Sequence, residues 1–374
     1  RLFYHNEFRQ GQTFHYDEDC LNLNIFSPAG DGPFPVLVFI HGGGFDSGAN
    51  YDSAIDGAAY ARRGIVFVSI HYRVSIFGYL THPDIREKYG RDGNFGLDDQ
   101  FTALQWIKAN IADYKGNANN ITVMGQSAGA ISIQYLSLSP KCQGLYQRAI
   151  MLSGGGMFPK FALPRPSENT HEYWEDLMAT AGVSTLDELK VLDIKTIFTA
   201  IEELKSRRKD NTYNTMPVVD GYLISAPVDT LIDHPLPIDY MLGYTNNDMY
   251  AIIMGHISHK YAKTNHAYLY YFDIDAPGND HNGAFHSSDL RYVFGTLNAS
   301  HRPYDAEDTK VSEAMISYIV AFAKTGDPNT DHLPTWKPAG RHALHIKKPA
   351  SAIAMGPTNW FKLLHNTLTK GDPK

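Results

Sequence analysis

The feature that most constrains the fold is a Gly-Gln-Ser-Ala-Gly segment at residues 125–129, which lies between two runs of different character. Residues 121–124 are β-branched and apolar and predict a strand, whereas residues 130–136 are typical of a helix. Glycine at both ends of the segment allows the backbone to turn sharply, because no Cβ atom obstructs the turn. The sequence therefore predicts a strand, a tight turn and a helix in succession, with Ser127 at the apex.

Short apolar runs recur elsewhere in the chain and predict further strands. Together with the first run they cover residues 36–40, 65–70, 121–124, 149–152 and 268–272. Between the second and third runs, apolar residues recur every three or four positions from Leu97 to Ile111, as on one face of a helix. Almost continuously apolar strands that alternate with helices indicate an α/β fold, in which a mainly parallel sheet has helices on both faces.

Residues 158–213 differ in character from the rest of the chain. Strand-like runs are absent there, and residues 172–181 and 186–204 are predicted to form helices with charged outer faces. No internal repeat, low-complexity tract or linker divides the 374 residues. We therefore expect a single domain over residues 1–374, with a helical insertion at residues 158–213 that covers a pocket.

The composition excludes several kinds of partner. The formal net charge of −7 is spread along the chain without an extended Lys/Arg run, so we expect no nucleic-acid partner. No apolar run approaches the roughly 18–20 residues that a membrane span needs. Cys20 and Cys142 are expected to be free thiols. The chain opens at Arg1, which is compatible with a processed leader, so secretion stays open beside a slightly favoured cytoplasmic location. The oligomeric state is unknown.

Two glycine-rich segments point to chemistry. A serine at the apex of a strand–turn–helix projects its hydroxyl above the sheet, and the helix behind it directs N–H groups at developing negative charge. Residues 41–45, His-Gly-Gly-Gly-Phe, follow the strand at 36–40 and match the oxyanion loop that accompanies such a serine. No lysine follows in the position that a phosphate-binding loop requires. Both motifs therefore predict acyl transfer with Ser127 as nucleophile.

A serine nucleophile needs a histidine base and an orienting acid, which follow in the order Ser, Asp or Glu, His in this kind of fold. The residues alone do not choose among the late histidines, which include His256, His259, His266, His281, His286 and His301. His286 lies in a polar loop before a predicted short helix, which suits a base carried on a loop. We found no metal-ligand cluster and no dinucleotide-binding motif, so neither a metal nor a cofactor is expected.

The chain resembles a known family, the type-B carboxylesterases, which include cholinesterases and bacterial para-nitrobenzyl esterases. The motifs that carry the resemblance are spread over nearly the whole length. They are Glu-Asp-Cys-Leu-Asn-Leu-Asn at 18–24, the glycine loop at 41–45, Tyr-Arg-Val at 72–74, the segments 93–100 and 103–107, the serine motif at 125–130, Pro-Val-Val-Asp-Gly at 217–221, Gly-Asp-Pro at 326–328 and Leu-Pro-Thr-Trp at 333–336. The resemblance implies the α/β-hydrolase fold.

The resemblance also implies a set of site residues. It makes Ser127 the nucleophile and His286 the base, because the family's histidine heads a short segment that ends in Phe-Gly. The N–H groups that bind the oxyanion would come from Gly43, Gly44 and Ala128. The acid position falls within residues 243–248, where the family usually has Glu and this chain offers Asp248. Its rivals are Asp220, Asp273 and Asp275, which belong to a turn and to the end of another strand.

The expected function is that of a serine carboxylesterase that hydrolyses small, fairly neutral carboxylic esters through an acyl-enzyme. Gln126 stands where the family often has Glu before the serine, which removes a negative charge and disfavours choline esters. A narrower hydroxycinnamoyl esterase or an amidase is the alternative within the same chemistry. A catalytically inactive binding module is disfavoured, because such relatives usually lose the serine or the histidine.

Overall fold

The structure is a computed structural model that describes residues 2–9, 11–155, 163–208, 214–248, 251–263, 266–340 and 342–358. Its strands are β1 (Leu23–Phe26), β2 (Phe34–Ile40), β3 (Val66–Ile70), β4 (Gly116–Gln126), β5 (Arg148–Leu152), β6 (Asp239–Thr245), β7 (Ala267–Phe272), β8 (His342–Ile346) and β9 (Ala354–Pro357).

Helices flank these strands along the chain. They are α1 (Leu2–Phe8), α2 (Ala58–Ala61), α3 (Ser75–Tyr79), α4 (Pro83–Tyr89), α5 (Phe95–Asn110), α6 (Ala128–Ser137), α7 (Glu168–Thr180), α8 (Leu186–Lys190), α9 (Ile194–Arg208), α10 (Val228–Leu231), α11 (Ala251–Tyr261), α12 (Leu290–Phe294) and α13 (Ala306–Thr325). Short 3₁₀ turns occupy Ile111–Tyr114, Pro140–Cys142, Leu297–Ala299 and Ala350–Ala352.

The strands form one sheet in the order β1-β3-β2-β4-β5-β6-β7-β8-β9. Every pairing from β3 to β8 is parallel, and only the outer pairs, β1 with β3 and β8 with β9, are antiparallel within the described residues. The expected mainly parallel α/β-hydrolase sheet is therefore confirmed. Because parallel strands end at the same edge, the loops that follow β2, β4, β6 and β7 meet there.

Apolar layers cover both faces of the sheet. Along β2, Val36, Val38 and Ile40 pack into one layer, with α5, α6 and α11, while Leu37 and Phe39 pack into the other, with α12 and α13. This alternation follows from the two-residue period of a strand, and the burial of both sets explains why the run is apolar throughout. The predicted strands at all five apolar runs are confirmed.

The helical region between β5 and β6 differs in detail from expectation. Residues 186–204 form two helices rather than one, because Asp193 accepts hydrogen bonds from the Thr196 N–H at 3.0 Å and from its hydroxyl at 2.5 Å, which starts a new helix at α9. The expectation also missed α13, which is 20 residues long, and the edge strands β1, β8 and β9.

The segment 158–213 begins and ends outside the described residues, so its boundaries as an insertion stay a prediction. Its described part, 163–208, contains α7, α8 and α9 around a separate apolar cluster that includes Trp174 and Leu177. Buried Asp92 ties α7 to the core, since its carboxylate lies 2.7 Å from the His171 Nε2 and 3.0 Å from the Arg86 Nε. In the part of the chain that the structure describes, no helix is both long and apolar enough to cross a membrane.

Phe294, the last residue of α12, packs into the apolar layer between the sheet and the helices α12 and α13. Its ring is 1% exposed and lies edge-on to Phe39, with centroids 4.9 Å apart. Phe294→Ala should lower the free energy of unfolding by about 3–5 kcal/mol, because it leaves a cavity in a packed layer. The matched control is Phe198→Ala on α9, where the ring is 43% exposed and the loss should stay within about 0.5 kcal/mol. Urea unfolding would measure both, and equal losses would contradict the packing argument.

Candidate active site

Ser127 is the residue between β4 and α6, and its backbone is strained. Its φ of 54° and ψ of −121° lie in a region that non-glycine residues rarely adopt. Two hydrogen bonds hold it there: its N–H donates to the Leu152 carbonyl and its carbonyl accepts from the Ile131 N–H, each at 2.9 Å. A Cβ atom at Gly129 would lie 2.1 Å from the Ile40 carbonyl oxygen, so only glycine lets α6 pack this closely on β2. The predicted tight turn is therefore present.

The structure brings Ser127, His286 and Asp248 into one hydrogen-bonded chain. The His286 Nε2 lies 2.9 Å from the Ser127 Oγ, and its Nδ1 lies 2.9 Å from the Asp248 Oδ2. The Asp248 side chain is fully buried and that of His286 is 14% exposed. A carboxylate can only accept, so the His286 Nδ1 donates to Asp248, and the lone pair of Nε2 faces the serine hydroxyl.

The short aspartate reaches the histidine because two loops are joined. The Asn247 N–H donates to the Ala284 carbonyl at 2.9 Å, and the Asn247 side-chain amide donates to the Asn282 carbonyl at 3.0 Å. These bonds hold the loop after β6 against the loop that carries His286. An aspartate is one methylene shorter than a glutamate, and this close approach compensates for its length.

The rival residues lie in other arrangements. Asp220 accepts hydrogen bonds from the N–H groups of Tyr222 and Ile224 within its own turn, each at 2.9 Å. Asp273 accepts from the Asn246 amide at 2.6 Å. His281, another of the late histidines, is exposed on its loop.

The glycine loop after β2 runs beside the serine. A Cβ atom at Gly42 would lie 3.0 Å from the Ser127 Cβ. Gly43 and Gly44 have φ values of 115° and 66°, which favour glycine and turn the backbone sharply. Ala128 is the first residue of α6, so its N–H has no acceptor within that helix. Gly42 thus contacts the serine and Ala128 directly follows it, while the oxyanion roles of Gly43, Gly44 and Ala128 stay a prediction.

His41 is a supporting residue that sequence reasoning missed. It is buried, and its Nδ1–H donates to the Gly42 carbonyl at 2.8 Å. Its ring stacks on Tyr72 with centroids 4.3 Å apart, and the Tyr72 hydroxyl donates to the His41 carbonyl at 2.9 Å. Burial lowers the pKa of His41 to about 3, so the ring stays neutral and keeps this arrangement over the ordinary pH range. The sequence signal that could have indicated this role is the position of His41 directly before the three glycines.

Asp289 is a second missed residue, three positions after His286. It is buried, and its Oδ2 accepts a hydrogen bond from the Tyr270 hydroxyl at 2.6 Å. Burial raises the pKa of Asp289 to about 6, and the nearby Asp248 carboxylate adds to this, whereas the Tyr270 hydrogen bond and His286 act in the opposite direction. A second carboxyl group therefore lies behind the histidine and ionises in a higher pH range than an ordinary aspartate.

Comparison with known proteins agrees with this geometry. The sequence model of the Carboxylesterase family matches residues 3–261 and 253–358. The bile salt-activated lipase of Rattus norvegicus is 31% identical over 442 aligned residues, which cover 90% of this chain and 71% of the lipase. The para-nitrobenzyl esterase of Bacillus subtilis (strain 168) is 29% identical, over 84% of this chain and 76% of the esterase.

Solved structures are similar over nearly the whole chain. A PNB esterase superposes with a TM-score of 0.83 at 24% identity, covering 96% of this chain and 85% of the esterase, which shows the fold. A carboxylesterase of Geobacillus stearothermophilus gives a TM-score of 0.79 at 26% identity, covering 96% and 87% of the two chains. The family model and the relative at 31% identity together cover most of the sequence. This chain belongs to the carboxylesterase family.

Proposed function

We propose that this protein hydrolyses small, uncharged carboxylic esters through an acyl-enzyme formed on Ser127, with His286 as general base and Asp248 as its orienting acid. The single observation that carries the proposal is the chain of two 2.9 Å contacts from the Ser127 Oγ through the imidazole to the Asp248 carboxylate. That arrangement has the donor and acceptor order that nucleophile activation requires.

In the acylation step, the Ser127 Oγ attacks the ester carbonyl carbon while its proton passes to the His286 Nε2. The ring becomes an imidazolium, which buried Asp248 stabilises through Nδ1. The tetrahedral intermediate then collapses, the bond to the alcohol oxygen breaks, and the Nε2 proton goes to the leaving alkoxide. In the deacylation step, the His286 Nε2 takes a proton from water as the water oxygen attacks the acyl carbonyl carbon. The bond to the Ser127 Oγ then breaks, Nε2 returns the proton to that oxygen, and the carboxylic acid leaves.

The negative charge of the intermediate develops on the former carbonyl oxygen. We assign its stabilisation to the N–H groups of Gly43, Gly44 and Ala128, which are backbone donors on the glycine loop and at the start of α6. Donors of this kind need no reorganisation as the charge develops, and Gly43 and Gly44 have no side chains that would block the ester.

The substrate proposal rests on the charge of the site. The described side chains that touch His286 or Ser127 include the neutral Gln126, and the ionisable carboxyl groups of Asp248 and Asp289 are both buried behind the histidine. Among the described residues, this arrangement therefore offers a cationic alcohol no carboxylate that is exposed beside the serine hydroxyl. A panel of nitrophenyl esters of increasing acyl length, with a hydroxycinnamoyl ester and an anilide, would define the substrate class; preferential cleavage of the anilide would contradict the esterase proposal.

Ser127→Ala should lower kcat by about 10⁶, because removal of a triad nucleophile abolishes the covalent route. The backbone turn is held by hydrogen bonds of the main chain, so the thermal midpoint of the variant should match that of the wild type. An organophosphonate should label the wild type at Ser127 with one equivalent, detected by peptide mass spectrometry. Labelling at another residue would refute the assignment.

Asp248→Asn should keep the fold and lower kcat by about 10⁴. An amide can present its N–H to the His286 Nδ1, which would stabilise the tautomer whose Nε2 carries the proton and cannot accept one from serine. Steady-state kinetics at saturating ester would show the loss, with Asp220→Asn as the matched control. A near-normal kcat in Asp248→Asn would exclude this residue as the acid.

Gly44→Ala should lower kcat by about 10²–10³, the usual loss when one oxyanion donor is removed. The φ of 66° at this residue disfavours a side chain, so the N–H would turn away from the oxyanion. The variant is informative when it still binds a phosphonate at Ser127, which shows that the site has formed. A rise in KM with an unchanged kcat would make this loop a binding element instead.

A further inference from the structure

Gln126 contacts the proposed base as well as the turn that carries it. This residue ends β4 immediately before Ser127, and its side chain is 4% exposed. Its Nε2 lies 2.6 Å from the Ser287 Oγ and 3.3 Å from the His286 Nε2. Its Oε1 faces the glycine loop, 2.7 Å from where a Cβ of Gly42 would lie. The Gln126 amide therefore lies between the glycine loop and the loop that carries His286, directly before the turn at Ser127.

Ser287 is the partner that holds this amide. It is 6% exposed and has a φ of 75°, in the left-handed region that favours glycine. A serine in this conformation is strained, and its hydroxyl accepts the short hydrogen bond from Gln126. The pair is thus a side-chain bridge between the residue before the nucleophile and the residue after the base.

The chemistry of an amide N–H determines what this bridge does. In the neutral ring, the His286 Nε2 is an acceptor, and both the Ser127 hydroxyl and the Gln126 N–H point at it, at 2.9 Å and 3.3 Å. Once Nε2 is protonated, it becomes a donor, and an amide N–H has no lone pair to offer it. The contact with Gln126 therefore favours the unprotonated ring, which is the form that can accept the serine proton.

We propose that Gln126, anchored by Ser287, is a positioning residue that keeps the His286 Nε2 a proton acceptor and so extends ester hydrolysis to lower pH than a carboxylate at this position would allow. The inference rests on the proposed role of His286. It adds a residue to the site whose effect is on the protonation of the base rather than on the reacting ester.

Other charged and titratable groups lie near His286, and their influence on its protonation must be distinguished from that of Gln126. Asp248 lies on Nδ1, and buried Asp289 lies on the same turn with the Tyr270 hydroxyl bound to it. The Tyr4 ring of α1 lies edge-on to the imidazole with centroids 6.3 Å apart. The Arg302 guanidinium lies over the neighbouring Phe285 ring at 5.3 Å. Of these, Asp289 has a pKa of about 6, so it titrates near the acid limb of activity.

The test compares pH profiles of kcat/KM for a neutral nitrophenyl ester. Gln126→Glu is nearly isosteric and places a carboxylate beside Nε2, where an opposite charge raises the pKa of an imidazole by about 1–3 units. The midpoint of the acid limb should therefore rise by at least about one pH unit, in both the wild-type and the Asp289→Asn background. Gln143→Glu, which adds the same charge at an exposed position, should leave the midpoint unchanged.

Ser287→Gly supplies a second, independent readout. Glycine relieves the strain at φ 75°, so a purely structural role predicts an unchanged or higher thermal midpoint with unchanged kcat. The positioning role predicts an unchanged or higher thermal midpoint together with a kcat lowered at least about five-fold on the acid limb, because Gln126 loses its anchor and the unprotonated ring is favoured less. An unchanged kcat on the acid limb in this variant would count against the inference.

Failure of this inference and failure of the proposed function have different signatures. A Gln126→Glu enzyme that still takes up one equivalent of phosphonate at Ser127, yet keeps the acid limb of the wild type, overturns the role of Gln126 alone. Full activity in Ser127→Ala overturns the acyl-enzyme proposal itself, whatever the pH profiles show.

Discussion

The strained backbone of Ser127 is held by the central strands on either side of it. The Ser127 N–H donates to the last carbonyl of β5 and the Ser127 carbonyl accepts from the first turn of α6, while the close packing of Gly129 on β2 fixes the helix behind the serine. A φ of 54° for a serine costs about 1–3 kcal/mol, and the surrounding sheet offsets this cost. The hydroxyl direction is therefore a property of the sheet rather than of a loop, and every other group of the site is placed relative to it.

The remaining groups reach Ser127 because of strand order. β4 is central, β6 is two strands away and β7 lies next to β6, so the loops after them open on the same edge. His286 and Ser127 are 159 residues apart in sequence, yet their side chains are in hydrogen-bond contact. The hydrogen bonds of Asn247 with the loop at 282–284 close the last gap between the acid and the base. The order of the parallel strands thus brings the three side chains to one edge of the sheet, and the hydrogen bonds between two loops set the distance from the acid to the base.

Local patterns in the sequence predicted what is local in the structure. The strand–turn–helix around Ser127 and the glycine loop were predicted from residues alone, because glycine spacing and apolar runs act over a few positions. His286 could not be separated from the other late histidines by such arguments, and the resemblance to a family was needed. The break between α8 and α9 was missed because one capping side chain, Asp193, outweighs a continuous helical pattern. Asp289 and Ser287 were missed because their roles depend on burial and on a backbone angle.

The electrostatics of the site follow from how its carboxyl groups are distributed. Asp248 accepts from the Nδ1 of His286, whereas Asp289 is bound to the Tyr270 hydroxyl and has a pKa raised to about 6. Above that pH a second negative charge develops near the ring, in addition to the Asp248 carboxylate that accepts from Nδ1. That second charge favours the imidazolium, while the amide of Gln126 on the opposite side favours the neutral ring. Asp289 and Gln126 therefore act in opposite directions on the protonation of His286, so the charge of the base depends on groups that do not take part in the reaction with the ester.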